Sequence, residues 1–460
     1  MARRLGALAF LAVVALCFVV VSERGVQAGV GSHPRAAAAT SPIRHIVVLM
    51  QENHSFDNVF GYWCVRTGRC DGTRHGRLSN GQRIRLTHAV DVSPKVDHGS
   101  NAHRVAWDHG KMDRFDHLKG CGPVSGYKCY TQYHLRDIPN LGALARRFVV
   151  ADRIFETDGV PSWGSHLELA SGGRLDGFVG DNPPRPHGSV HYGWGCDSRL
   201  DAAWRVTPKS SITMEPACVP DRAGHGPYRP SPVRWIPTIM DRLTHAGLSW
   251  KIYSLLPSMA SQGYSTGGYG WAICPTFADC LYTSQDANNV PYTDVMTDAA
   301  NGTLPNFAVV TPPSRYSQHN AYSMALGDNY IGQIMSSLMQ SPEWSSTAVI
   351  ITYDDSGGFY DHVPSPSGRP AYRLPFVIVS PWAKPSFTDH HVGDLTSILA
   401  FVEHTFGVKP LGRRDGSAYA LGGAFDFSQS PLRPVRMVHT PISRQETHYL
   451  ATHKPPPTTT

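Results

Sequence analysis

Short apolar runs without polar alternation recur along the chain: Ile-Val-Val-Leu at 46–49, Phe-Val-Val-Ala at 148–151, Phe-Ala-Val-Val at 307–310, Ala-Val-Ile-Ile at 348–351 and Phe-Val-Ile-Val at 376–379. Runs this short, rich in β-branched residues and apolar at every position, suit strands covered on both faces, as in a parallel sheet. Gly-Leu-Ser-Trp-Lys-Ile-Tyr at 247–253 predicts a further core strand. Helical periodicity predicts helices over 328–339 and 394–406. Strands and helices in this arrangement imply an α/β fold built on a central, mostly parallel sheet. Several runs end in polar residues, Glu52-Asn53, Asp152-Arg153 and Asp354-Asp355, and in such sheets ligands bind beyond the carboxyl ends of the strands.

Elsewhere the pattern changes. Residues 174–300 are rich in Gly, Pro, Tyr and Trp and read as a loop-rich insertion. Residues 1–28 have the form of an export signal: Arg3 and Arg4, an apolar run at 5–21, then Val26-Gln27-Ala28 as a small-residue cleavage site. The alternative is an uncleaved membrane anchor, since the apolar run approaches spanning length. Arg3-Arg4 hints at twin-arginine export, with flanks that match poorly. Residues 29–42 read as a flexible lead-in, 43–427 as one catalytic domain and 428–460 as a tail ending Pro-Pro-Pro-Thr-Thr-Thr.

Composition narrows the setting. The 460 residues are 41% hydrophobic and 10% aromatic, enough for a substantial core. Without Cys17 in the signal, eight cysteines remain, in close neighbours along the chain: 64 and 70, 121 and 129, 196 and 218, 274 and 280. Local disulfides in a secreted or cell-envelope protein are the economical reading, and no Cys-x-x-Cys supports a thiolate metal site. The net charge is +6, or +4 once residues 1–28, with three Arg and one Glu, are removed. Such a mild excess suits an anionic substrate or transient contact with a membrane surface. Without basic runs it gives no case for nucleic acid, and the sequence carries no signal for an oligomeric state.

The sharpest chemistry lies in Thr-Tyr-Asp-Asp-Ser-Gly-Gly-Phe-Tyr-Asp-His-Val at 352–363. Adjacent carboxylates at Asp354 and Asp355 repel unless screened, and a divalent metal satisfies them; the bland alternative is an acidic turn in water. A second motif, Met-Gln-Glu-Asn-His-Ser-Phe-Asp at 50–57, also leaves a strand end, and Glu52 and Asn53 offer hard oxygen ligands suited to Mg, Ca, Mn or Fe. In Pro-Ser-Trp-Gly-Ser-His at 161–166, Ser162 opens a predicted helix. A metal-activated serine there would be an effective nucleophile, with backbone N–H groups free to bind phosphate, but a plain helix cap fits equally, and Ser165 is a rival hydroxyl. His98, His103, His319 and His390 have polar company suited to phosphate binding or a general acid, and Lys111 could pair with phosphate.

These motifs resemble a bacterial phosphoesterase family that contains phosphatidylcholine-type phospholipases C and a related acid phosphatase. The resemblance runs in order through nearly all of 43–427, and is most specific at 52–57, 110–113, 317–319 and 353–363. It implies an alkaline-phosphatase-like α/β sandwich and one metal ion held by Glu52, Asn53, Asp354 and Asp355. It also implies Ser162 as a transiently phosphorylated nucleophile, with His98 and His319 near the phosphate and His390 matching a later histidine less securely. Asp57 and His362 fall within the matching motifs as candidates for phosphate contact or support. Two departures stand out: Leu395 replaces a family histidine, and Asp108-His109 precede Gly110-Lys111-Met112 where the family has glycine. The expected activity is phospholipase C-type hydrolysis, with phosphomonoester hydrolysis as the alternative and a catalytically silent binding protein of the same fold as the second. A sulfatase is disfavoured because the Cys-x-Pro-x-Arg string at 218–222 uses Cys218, already read as one of the locally paired cysteines.

Overall fold

In the computed structural model, residues 41–157, 159–181, 195–207, 209–256, 271 and 273–453 are described. The predicted signal and most of the lead-in, the final Pro-Pro-Pro-Thr-Thr-Thr, and part of the Tyr- and Trp-rich stretch, with Tyr192, Trp194, Tyr264 and Tyr269, lie outside these residues.

Eight strands form the main sheet: β1 (His45–Gln51), β2 (Val149–Ala151), β3 (Trp250–Ser254), β4 (Asn289–Pro291), β5 (Phe307–Val310), β6 (Thr347–Tyr353), β7 (Phe376–Val379) and β8 (Thr388–Asp389). Their spatial order is β4-β3-β5-β1-β6-β7-β2-β8, and β7 alone runs antiparallel to its neighbours. Every residue of β2, β5, β6 and β7 is buried, which explains why these strands read as unbroken apolar runs. Each of the five apolar runs is a strand, within a residue or two at its ends, and the run predicted at 247–253 becomes a strand only from Trp250.

Two groups of helices pack among themselves. One contains α2 (Pro139–Arg147), α5 (Asp294–Asn301) and α6 (Met324–Gln340); the other contains α3 (Ser162–Ser171), α4 (Ile239–His245) and α7 (Thr396–Phe406). A further helix, α1 (Ser100–Trp107), lies in the long connection between β1 and β2. α6 begins earlier than the periodicity predicts, because the Ser323 hydroxyl caps it by accepting the Leu326 N–H. α7 begins later, because Asp394 stays outside the helix, accepting the Thr396 N–H and pairing with Arg414.

The stretch 174–300 is more than an insertion. It supplies β3 and, at the sheet edge, β4, with α4 and α5; polar Asn289 obscures the pattern of that edge strand. The tail docks on the helices: Val438 exchanges hydrogen bonds with Asn140 of α2, and Thr440 with Asn329 of α6. The four disulfides are Cys64–Cys70, Cys121–Cys129, Cys196–Cys218 and Cys274–Cys280, the local pairing expected. Among the described residues no helix is long and apolar enough to cross a membrane.

Candidate active site

Strand register builds the centre. β1 and β6 pair in parallel with Gln51 opposite Tyr353, so Glu52-Asn53 and Asp354-Asp355 leave the sheet side by side. The Asp354 N–H donates to the Gln51 carbonyl at 3.0 Å, carrying the pairing one residue further. Asn53 then turns into the left-handed region, with φ 65°, and its N–H donates to Asp354 Oδ1 at 2.9 Å. Gly357, at φ 61°, crosses so close to Asn53 that a Cβ would stand 2.0 Å from its carbonyl oxygen. Only glycine fits, and its N–H donates to Asp355 Oδ1 at 2.7 Å.

Ser162, the first residue of α3, joins the two motifs. Its hydroxyl donates to Asp355 Oδ2 at 3.0 Å and accepts from Asn53 Nδ2 at 3.2 Å, while Asn53 Nδ2 also donates to Asp355 Oδ1 at 3.0 Å. It is therefore not a helix cap; Pro161 holds that position. The expectation of free amides for phosphate at this helix start needs amending, since the Trp163 N–H donates to Asp181 Oδ1 at 3.1 Å. Ser165, the rival, has a buried hydroxyl without a partner, turned to none of these groups.

Histidines converge from separate elements. His98 donates through Nδ1 to the Val96 carbonyl at 2.7 Å, leaving Nε2 buried and unpartnered. His319 holds the Asn320 carbonyl at 2.9 Å through Nδ1 and sits 5.6 Å from His98 by ring centroids, with Nε2 3.9 Å from Glu52 Oε2. Asn320 ties the pair to the glycine turn, donating to the Gly357 carbonyl at 3.0 Å and to the Val96 carbonyl at 3.2 Å. From α1, His103 faces Glu156 at 3.2 Å, and Glu156 also accepts the Ser356 N–H at 3.1 Å. His166, one turn after Ser162 on α3, places Nε2 3.7 Å from Asp354 Oδ2.

The electrostatics is one-sided. Burial, reinforced by the charge of Asp355, pushes Glu52 up to about 8. Burial and the charges of Asp355 and Glu52 push Asp354 well above the usual carboxylate range. Burial would also raise Asp355, but His98, His103 and the Gly357 N–H outweigh it and hold it below that range. His103 goes up to about 9 because Glu156 overcomes the effect of burial, whereas burial takes His319 and His166 down to about 3. Asn53 Oδ1 and Asp354 Oδ2 are buried without a hydrogen-bond partner. Each such orphan costs roughly 1–3 kcal/mol. Like-charged carboxylates beside unpartnered hard oxygens are the donor set a divalent cation satisfies, so these residues fit one.

Other predicted residues are held elsewhere. Lys111 is 62% exposed and paired with Asp108 at 2.9 Å, so its charge is spent at the surface. His390 is exposed and bonded to Asp152, with no bond to the acidic centre. Asp57 and His362 form a separate cluster with Asp361, closed by the buried Arg373 guanidinium, which lies 2.9 Å from Asp361 and 3.4 Å from Asp57. These residues support the motif loops and are not gathered around Ser162. Asp57, Asp361 and His362 are nonetheless more tightly gathered than Glu52, Asp354 and Asp355, as are His88, His134 and Asp137. Arg373 already neutralises the first group, and Arg74, Arg85 and Arg136 surround the second. Leu395, where the family has histidine, is fully buried in the main core.

Three contributors were not picked out from sequence: Glu156, Asn320 and His166. Only His166 left a signal there, its four-residue spacing from Ser162, which puts both on one helix face. Glu156 and Asn320 lie in irregular backbone, where no periodicity marks a facing side chain.

The profile of the Phosphoesterase family matches residues 43–409. The non-hemolytic phospholipase C of Burkholderia pseudomallei is 26% identical over 445 residues, covering 81% of this chain and 56% of that protein. Phospholipase C B of Mycobacterium tuberculosis is 25% identical over 502 residues, covering 93% and 86%. The chain thus spans about half the length of the Burkholderia relative. Among solved structures, a protein in the alkaline phosphatase superfamily from Vibrio parahaemolyticus is similar over 82% of this chain and 70% of its own, at 12% identity and a TM-score of 0.36.

Proposed function

Because the chain belongs to the Phosphoesterase family, we propose that it is a secreted, metal-dependent phosphoesterase of the phospholipase C type that works through a phosphoserine at Ser162. The observation that carries this reading is the position of the Ser162 hydroxyl, hydrogen-bonded to both Asp355 and Asn53, beside the unpartnered oxygens of Asn53 and Asp354. Glu52, Asn53, Asp354 and Asp355 would hold one divalent ion, which when bound would polarise a phosphoryl oxygen and acidify the serine hydroxyl.

The chain's own residues divide the remaining work. Asp355, kept ionised by His98 and His103, accepts the Ser162 proton and aims the oxygen at phosphorus. Asn53 Nδ2 fixes the serine rotamer from the other side. The P–O bond to the alcohol breaks as the Ser162 Oγ–P bond forms, and the departing oxygen takes a proton from His98, while burial keeps His319 neutral beside it. The Val96 carbonyl orients His98 so that its unpartnered Nε2 is free for that role. Water then cleaves the phosphoserine and restores the hydroxyl.

A phospholipid headgroup phosphoester is the proposed substrate, supported by relatives named phospholipase C. Export is supported by four disulfides. Trp271 is buried with its ring against His166, which argues for packing rather than headgroup contact there. The test is turnover of phosphatidylcholine, sphingomyelin and a soluble phosphomonoester side by side, in the native protein and in Ser162→Ala, with metal content measured on the same samples. Full turnover in Ser162→Ala with metal bound overturns the scheme; turnover of the monoester alone replaces the phospholipase with a phosphatase.

A further inference from the structure

We infer that His166 is an additional ligand of the divalent ion, on the side of Asp354, and that the centre therefore takes a transition-metal ion in preference to Mg or Ca. The inference rests on the reading above, that Glu52, Asn53, Asp354 and Asp355 hold the ion.

Three independent observations converge on this side chain. His166 is fully buried, and neither of its ring nitrogens has a hydrogen-bond partner. Buried imidazoles normally find a partner for at least one nitrogen, so a ring with two orphans implies a missing group. The Nε2 lies 3.7 Å from Asp354 Oδ2, which is itself buried and unpartnered. That separation is too long for a hydrogen bond. It is, however, the spacing of two donors on one ion, since ligands about 2.1 Å from a small cation stand roughly 3–4 Å apart. Finally, the helix places His166 one turn after Ser162, so α3 presents a hydroxyl to Asp355 and an imidazole to Asp354. Behind the ring, Trp271 lies nearly parallel, at 27° and 5.9 Å between centroids.

A nitrogen donor changes what the centre selects. Four oxygen ligands alone suit Mg or Ca as well as Mn or Fe. Imidazole binds Mn, Fe, Co or Zn far better than the alkaline earths. It also makes the site His-plus-carboxylate in character while leaving Ser162 free to face the substrate.

The experiment is a metal titration of the full chain after chelation, with Co(II) and with Mg(II), in the native protein and in His166→Gln. We expect the native protein to bind one Co(II) more tightly than Mg(II), and His166→Gln to lose roughly tenfold or more in Co(II) affinity with little change for Mg(II). Equal Co(II) binding by the two proteins overturns the inference, as does a parallel loss for both metals, which would mark a structural role. If the native protein binds neither ion, the metal reading itself falls. Should His166→Gln not fold, Mn(II)-loaded protein carrying His98→Ala and His319→Ala gives a separate answer. Nitrogen hyperfine coupling from a bound imidazole in that protein supports the assignment, and its absence overturns it.

Discussion

The same two sequence motifs build two buried acidic clusters with opposite electrostatic outcomes. Glu52 and Asn53 meet Asp354 and Asp355 in one; a few residues further along both segments, Asp57 meets Asp361 and His362 in the other. The second is closed by protein, because Arg373 reaches both carboxylates and His362 bonds to Asp57. Among the described residues no arginine or lysine pairs with the first, and two of its oxygens lack hydrogen-bond partners. A buried carboxylate whose counter-charge is in the chain holds structure together, and one whose counter-charge is missing awaits a ligand.

Substitutions can break this comparison. Ser162→Ala should lower turnover by at least about a thousandfold while leaving the unfolding midpoint nearly unchanged, since it removes the proposed nucleophile from the open cluster. Steady-state assays and thermal melts on one sample check both halves. On the closed side, Arg373→Leu should cost about 3–5 kcal/mol in denaturant unfolding, because it strands Asp57 and Asp361 without their counter-ion. In the open cluster, Asp354→Asn should have the opposite signature: metal binding lost, but stability of the chelated protein unchanged or higher, as the amide removes the cost of burying a carboxyl beside Asp355 and Glu52. A large loss of stability in chelated Asp354→Asn would erase the distinction.

A finer contrast comes from pH. His103 is raised above its ordinary value by Glu156, so its stabilising contribution is complete below about pH 6.5 and disappears as pH rises through about 9. The difference in stability between chelated native protein and His103→Gln should therefore shrink over that window. A difference that stays constant would mean the pair is not an ion pair. The smallest effect belongs to Lys111→Ala: with its ammonium at the surface on Asp108, turnover should change less than about twofold. A hundredfold loss would return Lys111 to the centre.

Strands were more legible in the sequence than site geometry. Buried runs such as 348–351 and 376–379 announce themselves because both faces are covered, and the residues following β1 and β6 became candidates through the same logic. β4 was harder, since an edge strand tolerates the polar residues that blur an apolar run. Within the centre, acidic dipeptides were visible from their chemistry alone. Lys111 and His390 carry suitable groups in motif company, but the backbone directs one to Asp108 and the other to Asp152. Residue type is written in the sequence; the direction a side chain faces from irregular backbone is not.

The pairing of β1 with β6 also has a kinetic meaning. The Asn53 N–H and the Asp354 carboxylate that receives it are 301 positions apart in the chain. Closing so long a loop is slow, and strand β1 must wait for β6 before their ends can meet. A chain still being synthesised holds Glu52 and Asn53 early and lacks Asp354 and Asp355 until three-quarters of it exists. The two halves of the candidate site therefore meet only with the completed sheet, and recovery of the proposed activity after dilution from denaturant would time the latest long-range step of refolding.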